Sequence, residues 1–252
     1  MLVRQRTPEI MDDPALDESL HFDALTGLGR LNMASAAHVY FTRCLTTCHR
    51  NSDVRPLRIL DIATGGADIP FALARFSKSS AIPIELEACD ISDTALRFAE
   101  RRAKSEDLHI KFFKLDAINE PLPEKYDLVM TSLFTHHLDP PDVIRLLSKM
   151  RGAARQAVLI DDLERSSLNL ALVTLATRVL ARSPIVHHDG PASVRAAYTF
   201  DEMLAMARQA GLANAKIERH FPCRLFLQDW VAGASEIRES KGLVPKDRAS
   251  NG

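Results

Sequence analysis

Three aspartates, Asp61, Asp90 and Asp116, each close an apolar run, in LRILDI, IPIELEACD and IKFFKLD. A carboxylate in such a place accepts hydrogen bonds from hydroxyl and amino groups. The carboxyl tips of strands in an open α/β sheet border a ligand crevice. After the first run comes Ala63-Thr64-Gly65-Gly66-Ala67, followed by Asp68 and Ile69, which begin a periodic apolar stretch. Small residues allow close approach of backbone to a ligand, and a helix N-terminus turns its free N–H groups toward it. Two pairs of neighbouring histidines, His136-His137 and His187-His188, bring groups that exchange protons near neutral pH. Neighbours on a helix point about 100° apart, so His136 and His137 are expected to act separately, one packed and the other facing a pocket.

A strand, a glycine turn and a helix in that order make a nucleotide-type site. A dinucleotide fold wants G-x-G-x-x-G, and those places hold Ala63, Gly65 and Asp68. An acid where a pyrophosphate should lie repels it, which disfavours an NAD-dependent oxidoreductase. No G-K-[ST] follows, so the turn is not a P-loop. A ligand with a cationic centre and no phosphate fits, and S-adenosylmethionine is such a ligand.

The stretch 57–74 resembles motif I of the class I S-adenosylmethionine-dependent methyltransferases, [DE]-x-G-x-G-x-G. It matches at Asp61 and Gly65 and departs at Ala63 and Ala67, which stand where the family has glycine. The DIA start and GAD end, the YDLV…SLF-HHL segment and SPIVHHDGPASVRAAYT bring it nearest to two groups. These are the bacterial methyltransferases associated with type III polyketide synthases and the quinone-biosynthesis C-methyltransferases. The resemblance implies an α/β fold: a Rossmann-like, seven-stranded, mostly parallel sheet with one antiparallel strand. It adds an N-terminal helical lid and a helical cap inserted after strand five. It also implies S-adenosylmethionine as cofactor, with S-adenosylhomocysteine as product. Asp61, Ala63, Thr64, Gly65, Asp68 and Ile69 would surround the donor's tail. Asp90, with Ile91, would hold the ribose hydroxyls, and Asp116-Ala117 the adenine. Ser132, Leu133 and His137 would line the mouth, and Arg30 would reach the methionine carboxylate. His187 or His188 is expected to take a proton from a phenolic or enolic acceptor as general base. Arg195 would orient an acidic substrate or pair with Asp189.

The expected division is residues 1–54 as lid, 55–233 as catalytic domain with 163–199 as inserted cap, and 234–252 as polar tail. The first fourteen residues read as a loose polar arm. Helices are expected over Glu18–Gly27 and Leu31–Arg50, broken at Gly27-Leu28-Gly29. The segment 183–191 reads as loop, and Gln156–Ile160 as a strand ending in Asp161-Asp162. Leu168–Leu180 is apolar almost all round, so it is expected to be buried or to wall a greasy pocket.

A hydrophobic fraction of 46% can fill a core, while a net charge of −1 argues against nucleic acid or anionic lipid as partner. No N-P-P-[YF] follows the fourth strand, which also disfavours a nucleic-acid methyltransferase. The four cysteines have no ligand spacing, and no metal ligands are expected. With no apolar leader and no membrane span, the reading is a cytoplasmic monomer or homodimer acting on a small molecule. A catalytically weak cofactor-binding partner subunit is the alternative.

Overall fold

The computed structural model describes residues 2–13, 15–51, 56–123 and 125–231. The expected polar tail, 234–252, lies outside them. Seven strands form one sheet: β1 (Leu57–Ile62), β2 (Ile84–Asp90), β3 (Lys111–Lys114), β4 (Tyr126–Ser132), β5 (Ala154–Leu163), β6 (Lys216–His220) and β7 (Arg224–Trp230). Their order is β3-β2-β1-β4-β5-β7-β6. β7 runs antiparallel to both its neighbours, and the other pairs are parallel. The expected Rossmann-like architecture is therefore present.

Alternation along the central strands sends side chains to both faces. Leu57 and Ile59 of β1 join Phe41, Leu45, Phe71 and Leu73 on one side, from α2 (His38–Arg50) and α3 (Asp68–Ser80). Leu60 and Ile62 join Leu146, Leu147, Met203 and Met206 on the other, from α5 (Pro140–Ala153) and α8 (Phe200–Gln209). α4 (Asp93–Ser105) adds Ala99 and Ala103 to the first layer. A third, smaller cluster holds Ala24 of α1 (Glu18–Ala34), Ala181, and Ile185 and Val186 of α7 (Pro184–Ala196), with Met11 and Leu16 of the leading arm packed on it.

Three local expectations are corrected. α1 is continuous through Gly27-Leu28-Gly29 and breaks instead at Ala36, where φ is 50°. The glycines serve packing. A Cβ on Gly27 would lie 3.2 Å from the Ala181 Cβ, and one on Gly29 would lie 3.1 Å from Asp68 Oδ1. The segment read as loop is helix α7, despite Pro191 inside it. Pro184 sits in its first turn, where the missing N–H costs nothing. Gly190 lets the helix press on α6 (Ser167–Leu180), for a Cβ there would stand 2.5 Å from Thr177 Cγ2. Finally, α6 is neither fully buried nor a wall of the central cavity. It packs on α7 and α1 and leaves Leu168, Leu175 and Val179 exposed at 67%, 64% and 71%.

The leading arm is not loose. Arg4 donates through Nε to Ala196 O at 2.7 Å and through Nη2 to Leu138 O at 2.8 Å, and its guanidinium lies 4.2 Å from the centre of the Tyr198 ring. Asp189 accepts the Ile10 and Met11 N–H groups at 2.9 and 3.1 Å. These bonds carry the arm across the carboxyl edge of the sheet.

Candidate active site

A cavity of about 870 Å³ opens at that edge. Asp61, Asp90 and Asp116 line it, as do Ala63, Thr64, Gly65, Asp68, Ile69, Ile91, Ala117, Ser132, Leu133 and His137. Of the residues expected around the cofactor, all but Arg30 line this cavity. Arg30 is exposed on α1 and lines no part of the cavity, while Asn32 of the same helix does. Helical spacing turns Leu25, Leu28 and Asn32 inward and Arg30 out.

The turn between β1 and α3 is held by Asp90, whose Oδ2 accepts the Gly65 N–H at 2.8 Å and whose Oδ1 accepts the Ser92 N–H at 2.9 Å. Burial raises the Asp90 carboxyl, against those bonds. Gly65 has φ +50° and no atom within 4 Å of where a Cβ would stand, so its backbone borders open space. Ala63 and Ala67 also adopt left-handed φ, 53° and 59°. That conformation costs an L-residue about 1–2 kcal/mol and accounts for glycine at these places in the family pattern. Ala63→Gly is expected to stabilise the protein by up to about 1 kcal/mol, strain relief less the glycine's unfolded-state entropy. Urea unfolding of the two proteins measures this. Ala67 is fully buried, so there the lost methyl contacts offset the relief.

Asp61 is 3% exposed, and its Oδ1 has no hydrogen-bond partner in the protein, nor has the Thr64 Oγ1. Burial pushes the Asp61 carboxyl up to about 7, against the pull of the neighbouring Thr64 hydroxyl, with the negative charges of Asp90 and Asp68 adding to the rise. Asp68 binds the Arg102 Nη1 at 2.6 Å and accepts from Asn32 Nδ2 at 3.0 Å. Asp116 accepts the N–H groups of Ile118 and Asn119 at 3.0 and 3.1 Å, so its carboxylate closes its own turn as well as facing the cavity.

Neither expected base reaches this cavity. His187 Nε2 bonds Ala181 O at 2.9 Å, and the exposed His188 bonds Asp189 Oδ1 at 2.9 Å. Folding 184–196 as a helix directs both rings away from the cavity lining. Asp189 is occupied by the arm, not by Arg195.

Sequence reasoning missed the other histidine pair as a unit. β4 is followed by Leu133, with φ 55°, and by a single 3-10 turn over Thr135–His137. There the two rings do not diverge: their centroids are 4.3 Å apart, at 33°. His136 is buried, with Nδ1 2.6 Å from Asp162 Oδ1. His137 Nδ1 is 3.1 Å from Asp12 Oδ2. Burial opposes charge on His137, but the Asp12 bond and the nearby Glu9 hold it up at about 9. Burial likewise opposes charge on Asp162, and the His136 partner with the Thr135 hydroxyl brings it down to about 2. Glu9, Asp12 and His137 all line the cavity. Nothing in the sequence of the arm marks this meeting, because Glu9 and Asp12 follow no period or motif.

With β5 reaching Leu163, Asp161 and Asp162 lie within the strand, and neither lines the cavity. Asp161 is bound by Arg224 Nη1 and, at 2.6 Å, by His220 Nε2. Arg224 Nη2 donates to Asn32 Oδ1 at 2.7 Å.

Residues 59–157 match the family profile described as a methyltransferase domain. The chain has a Rossmann-like methyltransferase fold. The chain is 37% identical over 76 residues to the release factor glutamine methyltransferase of Streptococcus pneumoniae, covering 30% of this chain and 25% of that one. It is 35% identical over 69 residues to the demethylmenaquinone methyltransferase of Thermus thermophilus, covering 27% and 30%. The chain thus aligns with under a third of the length of either relative. A solved structure of a SAM-dependent methyltransferase from Aquifex aeolicus superimposes with a TM-score of 0.57 at 15% identity, over 86% of this chain and 100% of that one. Among the described residues no helix is long and apolar enough to cross a membrane.

Proposed function

We propose that the protein transfers a methyl group from S-adenosylmethionine to a small acceptor with a phenolic or enolic carbon or oxygen, of polyketide or quinone-like type. The observation that carries this is the row of acids at the strand tips, Asp61, Asp90 and Asp116, around one cavity that also holds the turn. The unpartnered Asp61 Oδ1 and Thr64 Oγ1 fit a ligand with an ammonium group. Asp90 keeps lone pairs for two hydroxyls beyond its two backbone bonds. When bound, the cofactor supplies a sulfonium methyl: the S–CH3 bond breaks, the sulfur keeps the pair, a new bond to acceptor oxygen or carbon forms, and the acceptor's proton leaves. Met11, Leu16, Leu28, Phe134 and Leu138 give the cavity apolar surface for a greasy acceptor. The name of the demethylmenaquinone relative agrees with that class.

Calorimetric titration with S-adenosylhomocysteine, then incubation of phenolic and polyketide-like acceptors with labelled S-adenosylmethionine, tests the reading. Transfer supports it, and failure to bind S-adenosylhomocysteine overturns it. Binding without transfer to any acceptor supports the second reading, a cofactor-binding partner subunit, to which the alanines at 63 and 67 give some weight.

Asp61 sets an expected pH dependence. Its folded pKa of about 7 lies above the unfolded carboxylate value. The stability this gives the cofactor-free protein is whole below about pH 4 and is lost as pH rises through 7. A cationic ligand favours the ionised carboxylate and releases its proton. S-adenosylhomocysteine affinity should therefore rise with pH up to about 7 and then level off, and Asp61→Asn should flatten that rise. Calorimetry in buffers of different ionisation enthalpy measures both the affinity and the proton released.

A further inference from the structure

Glu9, His136 and His137 bring one carboxylate oxygen and two imidazole nitrogens within 4.8 Å of one another. We infer that these three side chains form a binding site for a divalent cation of the zinc class, at the rim of the proposed methyl-transfer cavity. The facing atoms are the first indication. Glu9 Oε1 stands 3.7 Å from His136 Nε2, and Glu9 Oε2 stands 3.9 Å from His137 Nε2. Both gaps are too long for N–H···O hydrogen bonds, which close at about 2.7–3.2 Å. Ligands about 2.0–2.1 Å from a tetrahedral zinc lie roughly 3.3 Å apart, so a small contraction of the cluster onto a cation suffices.

The second indication is the outer partners. Each histidine gives its Nδ1 to a carboxylate, His136 to Asp162 at 2.6 Å and His137 to Asp12 at 3.1 Å. That leaves both Nε2 atoms toward Glu9, and Glu9 Oε1 is itself fixed by the Ser193 hydroxyl at 2.5 Å. Metal-bound histidines are oriented by a carboxylate in this way. The third is charge. Three carboxylates, Glu9, Asp12 and Asp162, surround two imidazoles, a field that suits a dication. Two histidines and one glutamate are a zinc donor set that keeps a position open. Glu9 and His137 line the cavity, so that position faces it. The ligand it would take is an acceptor oxygen, phenolate or enolate, and this last step alone rests on the proposed methyl transfer.

The test is titration of the metal-free full chain with Co2+, read by its visible ligand-field absorption, and with Zn2+ in competition. One saturating equivalent with a tetrahedral or five-coordinate spectrum is expected. Glu9→Gln and His137→Gln should each abolish the saturable signal while melting temperature shows a folded protein. Asp12→Asn should weaken Co2+ by about 10–100-fold. His188→Gln, a surface histidine outside the cluster, should bind Co2+ as the parent does. No stoichiometric binding, or binding unchanged in both Glu9→Gln and His137→Gln, overturns the site. S-adenosylhomocysteine titrated into the same preparation separates the two readings. Its binding without Co2+ binding defeats only the metal site, and Co2+ binding without it defeats only the methyl transfer.

Discussion

Arg224→Met is expected to lower the unfolding free energy by about 3–5 kcal/mol, the cost of stranding one member of a buried ion pair. Asp161 is fully buried between Arg224, His220 and the Ser132 hydroxyl. Without the guanidinium it is left in a place that water does not reach, with the His220 ring and the Ser132 hydroxyl as its remaining partners. The damage spreads to the cavity wall. Arg224 also holds Asn32, Asn32 holds Asp68, and Asp68 holds Arg102. This row of bonds fastens α1 to the start of α3, so the variant should also bind S-adenosylhomocysteine more weakly. Adding Asp161→Asn to Arg224→Met should recover part of the stability, since an amide can still bond His220 and replaces the stranded carboxylate. Urea unfolding of the three proteins measures this. A loss below about 1 kcal/mol in Arg224→Met would mean that the network contributes little.

Asp90→Asn should weaken S-adenosylhomocysteine by roughly 100-fold, about 2.7 kcal/mol. The change is nearly isosteric, yet it replaces an acceptor-only group by one with an acceptor and a donor end. Both carboxylate oxygens already accept backbone N–H groups, from Gly65 and Ser92. Whichever way the amide turns, an NH2 faces one of those donors, and the glycine turn or the start of α4 must move. The ligand's hydroxyls lose an acceptor as well. Calorimetry gives the affinity, and a melting curve separates the binding loss from unfolding. Wild-type affinity in Asp90→Asn would detach the ribose assignment from this residue.

The parts of the fold that could be read beforehand were those whose cause is local. Apolar runs marked β1 and β4, because strands buried on both faces need nearly continuous hydrophobic sequence. The small residues from 63 to 67 marked the turn, because its constraint is steric and lies within five positions. Gly27 and Gly29 misled, since their lack of a side chain serves neighbours from 181, 186 and 68, not a bend. Gly190-Pro191 misled in the same way, the packing on Thr177 outweighing the local preference for a loop. The contribution of Glu9 and Asp12 had no local trace at all. It depends on Arg4 reaching carbonyls 134 and 192 positions away, and no period or motif encodes such a meeting. His136 and His137 were set apart by assuming α-helical spacing, whereas the tighter turn stacks them.

The track of the leading arm has a practical result. Breaking the hold of Asp189 or Arg4 on that stretch would reshape the cavity, because Glu9, Met11, Asp12 and Leu16 enter the wall only while it keeps its course. The same dependence makes exchange of residues 2–13 a way to alter one wall of the cavity without touching the sheet.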